Sequence, residues 1–147
     1  MKIAILDDYY QRARDYADWD SASFASIDFI DHHIANENDL VSALQSYDAV
    51  GVMRERTPFP KSLIDALPNL KLIVTSGKQN AAIDVAAAAA KGVTVCGTPS
   101  PGHATAELAF LLVMTLCRKL IPLVNGLKQD HQWQPVMGSD LRGKTLG

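Results

Sequence analysis

The 147-residue chain has only two cysteines, Cys96 and Cys117, and neither has a second Cys or a His at metal-ligand spacing. That leaves no thiolate metal site, and both thiols read as small buried apolar side chains. There is no long run of Lys or Arg. Fourteen basic and sixteen acidic residues are scattered to a formal net charge of −2, which provides no footprint for nucleic acid or an anionic membrane. No window reaches the length of a membrane span, and Met1-Lys2-Ile3 enters a strand-like run with no signal segment before it, so a soluble, cytoplasmic protein is expected. A further absence is the glycine fingerprint G-x-G-x-x-G, which occurs nowhere in the chain. What is present is apolar content of 48%, enough to bury the core of one domain with a short extension.

Short apolar runs alternate with helical patterns along the first hundred residues, the signature of a parallel sheet covered by helices. Ile3–Leu6 precedes a charged amphipathic stretch, Tyr9–Trp19. Ser26–Ile30 precedes Asp39–Tyr47, with Asn38 as N-cap. Ala49–Met53 leads through Thr57-Pro58-Phe59-Pro60 into a helix over Lys61–Leu67, where Pro60 suits the first turn. Lys71–Thr75 leads into Ala81–Lys91, Gly92 ends that helix, and Val93–Cys96 makes a fifth strand. The strands lack polar alternation, as strands buried on both faces should. The pattern predicts a flavodoxin-like, doubly wound, five-stranded parallel sheet over residues 1–100.

Residues 101–147 differ. His103–Leu127 reads as one long helix, apolar on nearly every side through Ala109–Cys117, with Pro122 expected to kink or end it. Such a helix needs partners all round, on another domain or another copy of the chain. Gln129–Ser139 reads as an irregular connection. Leu141–Gly147 reads as a turn feeding a new β-strand, the truncated start of a second, dinucleotide-binding domain.

A doubly wound sheet places its chemistry at the carboxyl ends of the strands, where three segments fall. Thr75-Ser76-Gly77-Lys78-Gln79-Asn80 is a glycine-containing turn that can aim backbone N–H groups and a positive helix end at an anion, or serve only as a tight turn with Asn80 as N-cap. Met53-Arg54-Glu55-Arg56-Thr57 offers Arg54 or Arg56 to a carboxylate, or forms a solvated loop around Glu55. Thr98–Glu107 is a Pro/Gly turn whose hydroxyls and His103 suit capping and ligand contact equally. His32 and His33, at the end of the second strand, are on general loop grounds minor candidates for lining a cleft.

Read together, Met53–Phe59, Leu70–Asp84, Gly92–Pro99, Thr105-Ala106-Glu107-Leu108 and Leu141–Gly147 resemble the N-terminal part of the D-isomer-specific 2-hydroxyacid dehydrogenases, over essentially the whole chain. The resemblance implies an oxidoreductase that interconverts a D-2-hydroxy acid and its 2-oxo acid with NAD or NADP, of which this chain is the substrate-binding portion. It implies that the N–H groups of Ser76, Gly77 and Lys78 hold the substrate carboxylate and that Asn80 braces their loop. Arg54 matches a position that can face the substrate, and Thr105 one that can contact the nicotinamide. Lys78 and Gln79 depart from the residues common in the family. The catalytic arginine, the acid and the general-acid histidine would all lie beyond residue 147, so no catalytic residue and no metal ligand is assigned. The isolated chain is expected neither to bind the dinucleotide tightly nor to catalyse the reaction. A homodimer through the long helix and the missing domain is expected.

Two other readings stand beside this one. A stand-alone anion-binding or dimerisation module keeps the fold and drops the chemistry. A phosphoacceptor receiver domain is suggested by Leu6-Asp7-Asp8, but it needs an aspartate ending the third strand, where Met53-Arg54-Glu55 stands, and a lysine ending the fifth. Asp7 and Asp8 are read instead as loop and helix-start acids.

Overall fold

The computed structural model describes residues 1–99, 102–129 and 131–146, and the chain divides into two compact units, Met1–Ser100 and Pro101–Gly147. In the first, β1 (Lys2–Ile5), β2 (Ser26–Phe29), β3 (Ala49–Val52), β4 (Leu72–Thr75) and β5 (Thr94–Gly97) form a parallel sheet in the order β2-β1-β3-β4-β5. This is the doubly wound flavodoxin-like order expected from the alternating pattern, and its direction reverses between β1 and β3. Ile5 pairs with Gly51, and Val52 with Thr75, so the carboxyl ends of β1, β3 and β4 emerge side by side.

Three helices, α1 (Glu37–Leu44), α2 (Lys61–Ala66) and α3 (Val85–Lys91), cover one face of the sheet. Ala4, Leu6, Val50, Val52 and Ile73 point into that layer, against Leu44, Leu63, Ile64 and Ala88 and around a fully buried Phe59. Pro60 stands just before α2, as its fixed φ allows. The cap of α1 is Asn36 and not Asn38: the extended Asn36 places its side-chain oxygen to accept from the N–H groups of Asn38 (2.9 Å) and Asp39 (3.3 Å). Likewise α3 starts at Val85 and not Ala81. The preceding backbone is taken up by an isolated parallel bridge, in which Phe59 N–H donates to Ala82 (2.7 Å) and Asp84 N–H donates to Phe59 (2.9 Å). Asp84 is the N-cap, and Gly92 closes the helix at φ +77°.

The helix expected over Tyr9–Trp19 is replaced by two short 3-10 turns, Ala13–Tyr16 and Trp19–Ser21. Gln11 adopts φ +53°, which interrupts any helix, and the Asp8 carboxylate takes the N–H groups of Arg12 (2.9 Å) and Ala13 (3.1 Å). Trp19 then folds back to donate from Nε1 to the Ala13 carbonyl (2.8 Å) and to meet Phe29 edge-on. The second face of the sheet is consequently thinly covered. Ile3, Ile5, Leu72 and Val74 are half-buried there, under Ala13, Tyr16 and Trp19, so the expectation of burial on both faces is met on one. Cys96, on the edge strand β5, is exposed, and Cys117 is half-buried; neither is the core thiol expected.

The second unit holds α4 (His103–Cys117) and α5 (Leu120–Gln129). The expected single helix breaks at Lys119, which adopts φ +55°, and not at Pro122. Pro122 is the third residue of α5, in the first turn, where its missing N–H has no helical partner to lose. Residues 141–146 form a turn, with Gly143 at φ +74° and Lys144 N–H donating to Leu141, and no strand forms among the described residues there; Gly147 lies outside them. No helix among the described residues is long and apolar enough to cross a membrane.

Candidate functional site

Two loops meet where β3 and β4 end. Arg54, two residues after β3, adopts φ +52°, a conformation that costs an L-residue energy and persists only when its surroundings hold it. Its N–H donates to Ser76 Oγ (3.1 Å), and its carbonyl accepts from Asn80 Nδ2 (2.6 Å). Asn80 also donates to Thr75 Oγ1 (3.0 Å) and accepts from the N–H of Ala82 (2.9 Å). One amide thus ties the β4 loop to the β3 loop, and Asn80 braces a turn four residues before the true cap of α3.

Gly77 lies at the centre. Its φ of +107° favours glycine, and a Cβ there would collide with the Arg54 guanidinium, which lies across it. Behind it, Gly97 permits close approach, since a Cβ at that position would stand 2.7 Å from the carbonyl oxygens of both Gly77 and Lys78. Thr98 clips the same loop: its N–H donates to Gly77 (3.0 Å) and its Oγ1 accepts from the N–H of Gly77 (3.0 Å).

The three amides assigned to an anion are therefore not equivalent. The Ser76 N–H continues the sheet by donating to Val52 (3.0 Å), whereas its hydroxyl holds Arg54. The Gly77 N–H meets a hydroxyl that can rotate. Among the described residues none accepts from the N–H of Lys78, and its side chain is exposed beside a depression also lined by Thr75, Asn80 and Gly97. Arg54 and Glu55 form an exposed pair at 3.8 Å, too solvated to immobilise either side chain. The loop thus offers a guanidinium, an ammonium and backbone donors around one glycine, an arrangement suited to a small carboxylate.

Beside it, Asp7, two residues beyond β1, adopts φ +62° with its side chain buried. It accepts from Thr57 Oγ1 (2.8 Å) and Tyr9 OH (2.9 Å), with His33 Nδ1 3.5 Å away. The hydrogen bond to this carboxylate, with some burial, raises the Tyr9 pKa above its ordinary value. Among the described residues no group of three side chains is placed to hold a metal ion, and Asp7 is spent on hydroxyl donors.

The catalytic-domain model of the D-isomer specific 2-hydroxyacid dehydrogenases matches residues 3–139. The chain belongs to that family. Its relatives include the D-3-phosphoglycerate dehydrogenases of Archaeoglobus fulgidus, 33% identical over 115 residues, and Homo sapiens, 30% identical; each alignment covers 76% of this chain and 21% of the relative. The chain thus spans about a fifth of the length of these curated relatives. Among solved structures, a phosphoglycerate oxidoreductase of Vibrio cholerae superposes with a TM-score of 0.84 at 33% identity, over 96% of this chain and 46% of that one. The D-lactate dehydrogenase of Aquifex aeolicus, solved with NAD and lactic acid, shares the fold at a TM-score of 0.69 and 19% identity, over 95% of this chain and 41% of its own.

Within this family domain, the structure brings Arg54, Ser76, Gly77, Lys78 and Asn80 into one cluster. Thr105, exposed in the first turn of α4, belongs to the second unit, as do His103 at the start of that helix and His131 in the loop after α5. Sequence reasoning passed over Thr98 as a clip and Thr57 and Arg56 as partners of Asp7. Nothing in their spacing marks them, because the contacts join residues 21 to 50 positions apart.

Proposed function

We propose that the chain is the acid-binding portion of an NAD(P)-dependent oxidoreductase that interconverts a D-2-hydroxy acid and its 2-oxo acid. The observation that carries this reading is the Arg54 guanidinium laid across Gly77, beside the N–H of Lys78, from which none of the described residues accepts. The carboxylate is held by Arg54 and the N–H of Lys78, with the N–H of Gly77 joining them once the Thr98 side chain swings away from it. Ser76 takes part through its hydroxyl, which fixes Arg54, and Asn80 joins the two loops. Lys78 adds positive charge, so small acids with a compact second polar group are favoured.

NAD or NADP supplies the hydride in the complete reaction. Within these 147 residues no G-x-G-x-x-G occurs to cradle its pyrophosphate. Thr105 is the single position assigned to the nicotinamide end. The protein works in the cytoplasm on small acids, with neither nucleic acid nor membrane as partner, and pairs with a second copy through α4. The test is a titration of the 15N-labelled chain with pyruvate. Shifts confined to Gly77, Lys78, Asn80 and the Arg54 side chain are expected, and an unperturbed loop at tens of millimolar pyruvate would sink the proposal. NAD added alone should leave the spectrum unchanged.

A second reading, a stand-alone dimerisation or anion-binding module, is favoured by one feature. Leu108, Phe110, Leu111, Leu112 and Leu116 of α4 are all exposed. A module of that kind holds one stable oligomeric mass on dilution, whereas an acid-binding portion of a larger machine shows mass that falls with concentration.

A further inference from the structure

We propose that Asp7 is a positioning residue for Arg54: its buried carboxylate anchors the loop between β3 and α2 and so holds Arg54 in the left-handed conformation that lays the guanidinium on Gly77. The proposal rests on the acid-binding reading of that loop.

Asp7 (φ +62°) and Arg54 (φ +52°), two strained non-glycine residues at the crevice, each lie two residues beyond the end of adjacent strands, β1 and β3. Strain of this kind survives where neighbouring groups over-determine it. At its start, the Arg54–Thr57 segment is held by Ser76 and Asn80, as described above. At its far end Phe59 is fixed by its backbone bridge to Ala82 and Asp84, and among the described residues it is Asp7 that takes the side chains of Arg56 and Thr57 between these two fixed ends. Thr57 Oγ1 donates to the carboxylate (2.8 Å), and Arg56 donates to the Asp7 carbonyl (3.2 Å) while lying 5.0 Å over the Tyr9 ring. Asp7 and Thr57 are 3% and 2% exposed, so the link between them is made out of water, where a carboxylate lacking donors is costly.

That cost gives the carboxylate its leverage. Asp8 does what a helix-start acid does, accepting from the N–H groups of Arg12 and Ala13. Asp7 caps nothing, and among the described residues its side chain meets two hydroxyls and one imidazole nitrogen. A buried acid at the switch point of the sheet, committed to the loop that carries the substrate arginine, sets where that arginine stands. Without the anchor, the exposed Arg54-Glu55-Arg56 stretch keeps only the Ser76 and Asn80 bonds at its start as links to another loop among the described residues, and Arg54 can return to an ordinary extended conformation, lifting its guanidinium off Gly77.

The experiment uses Thr57→Val, Asp7→Asn and the surface variant Arg56→Gln, each alone and combined with Arg54→Met, with pyruvate as the probe. Dispersed strand amides report that each variant is folded, and Arg56→Gln removes one link without touching the core. Thr57→Val and Asp7→Asn are expected to weaken pyruvate binding about fivefold to tenfold, and to add nothing once Arg54 is methionine, because coupled residues are not additive. Arg56→Gln should act in the same direction and less. Thr57→Ser, which keeps the hydroxyl, should restore the wild-type affinity. Losses that add to that of Arg54→Met, or unchanged affinity in the folded variants, would overturn the inference. If the unaltered chain does not bind pyruvate, the acid-binding reading fails, and the Arg54 Nε–Hε and 13Cα signals still judge the anchor. In the variants they should move towards their extended-chain values. Signals identical to wild type in a folded variant reject it.

Discussion

α1, with eight residues, buries Leu40 and Leu44, whereas α4, with fifteen residues and a far more apolar sequence, buries none among the described residues. The difference lies in what each helix has to pack on. α1 presents a narrow apolar stripe to a sheet already filled by Val50 and Ile73, and the stripe is enough. α4 is apolar all round, and its own unit supplies little to cover it. Apolar content therefore measures a helix's demand for a partner, and only a complementary surface turns the demand into a core.

The largest effect that would sharpen this contrast comes from paired truncations. Phe59→Ala, in the sheet unit, should cost about 3–5 kcal/mol in urea unfolding, as full burial of a large ring implies. Phe110→Ala on α4 should stay within about 0.5 kcal/mol. Equal losses would break the comparison. Next is Gly77→Ala, which should cost about 1–2 kcal/mol through its positive φ and abolish pyruvate binding by displacing Arg54. Unimpaired binding would remove Gly77 from the site.

A smaller, pH-dependent effect belongs to Asp48. Its hydrogen bond with Lys71 (2.7 Å), and then that with the Lys2 N–H (2.9 Å), lower its pKa below the usual carboxylate value. A depressed folded-state pKa stabilises above the unfolded value and is lost as pH falls through the folded one. Asp48→Asn should therefore destabilise the sheet at neutral pH and flatten the loss of stability below about pH 4. A parallel acid-unfolding curve would show that the pair contributes nothing. The smallest effect on stability, with the clearest effect on assembly, is expected of Leu111→Glu. It should leave sheet unfolding unchanged and lower the concentration-dependent mass seen by light scattering. A fall in sheet stability would mean that α4 belongs to the sheet's core after all.

Much of the fold was legible because it rests on periodicity. Four-residue apolar runs such as Ala49–Val52, Gly92 after a run of alanines, and Pro60 before Lys61 are local signals with local causes. The failures share a cause as well. Tyr9–Trp19 has a helical pattern, but Asp8 and Trp19 satisfy its backbone and side chains in another way. Ala81–Asp84 could have been helical had Phe59, more than twenty residues earlier, not claimed its backbone. Cys96 has the composition of a core residue and the address of an edge strand.

The site divides in the same way. The glycine turn at Gly77 and the cations Arg54 and Lys78 were visible in one dimension, because residue type and position after a strand are local features. That the Ser76 N–H is spent on Val52, that Asn80 spans two loops, and that Asp7 faces Thr57 were not. The sequence by itself determined the order of strands and helices and the kinds of group available at their ends, since these follow from short-range sterics and hydrophobic spacing. Only the tertiary structure decided which donors remain for a ligand, because hydrogen bonds between residues distant in the chain are allotted when the strands come together.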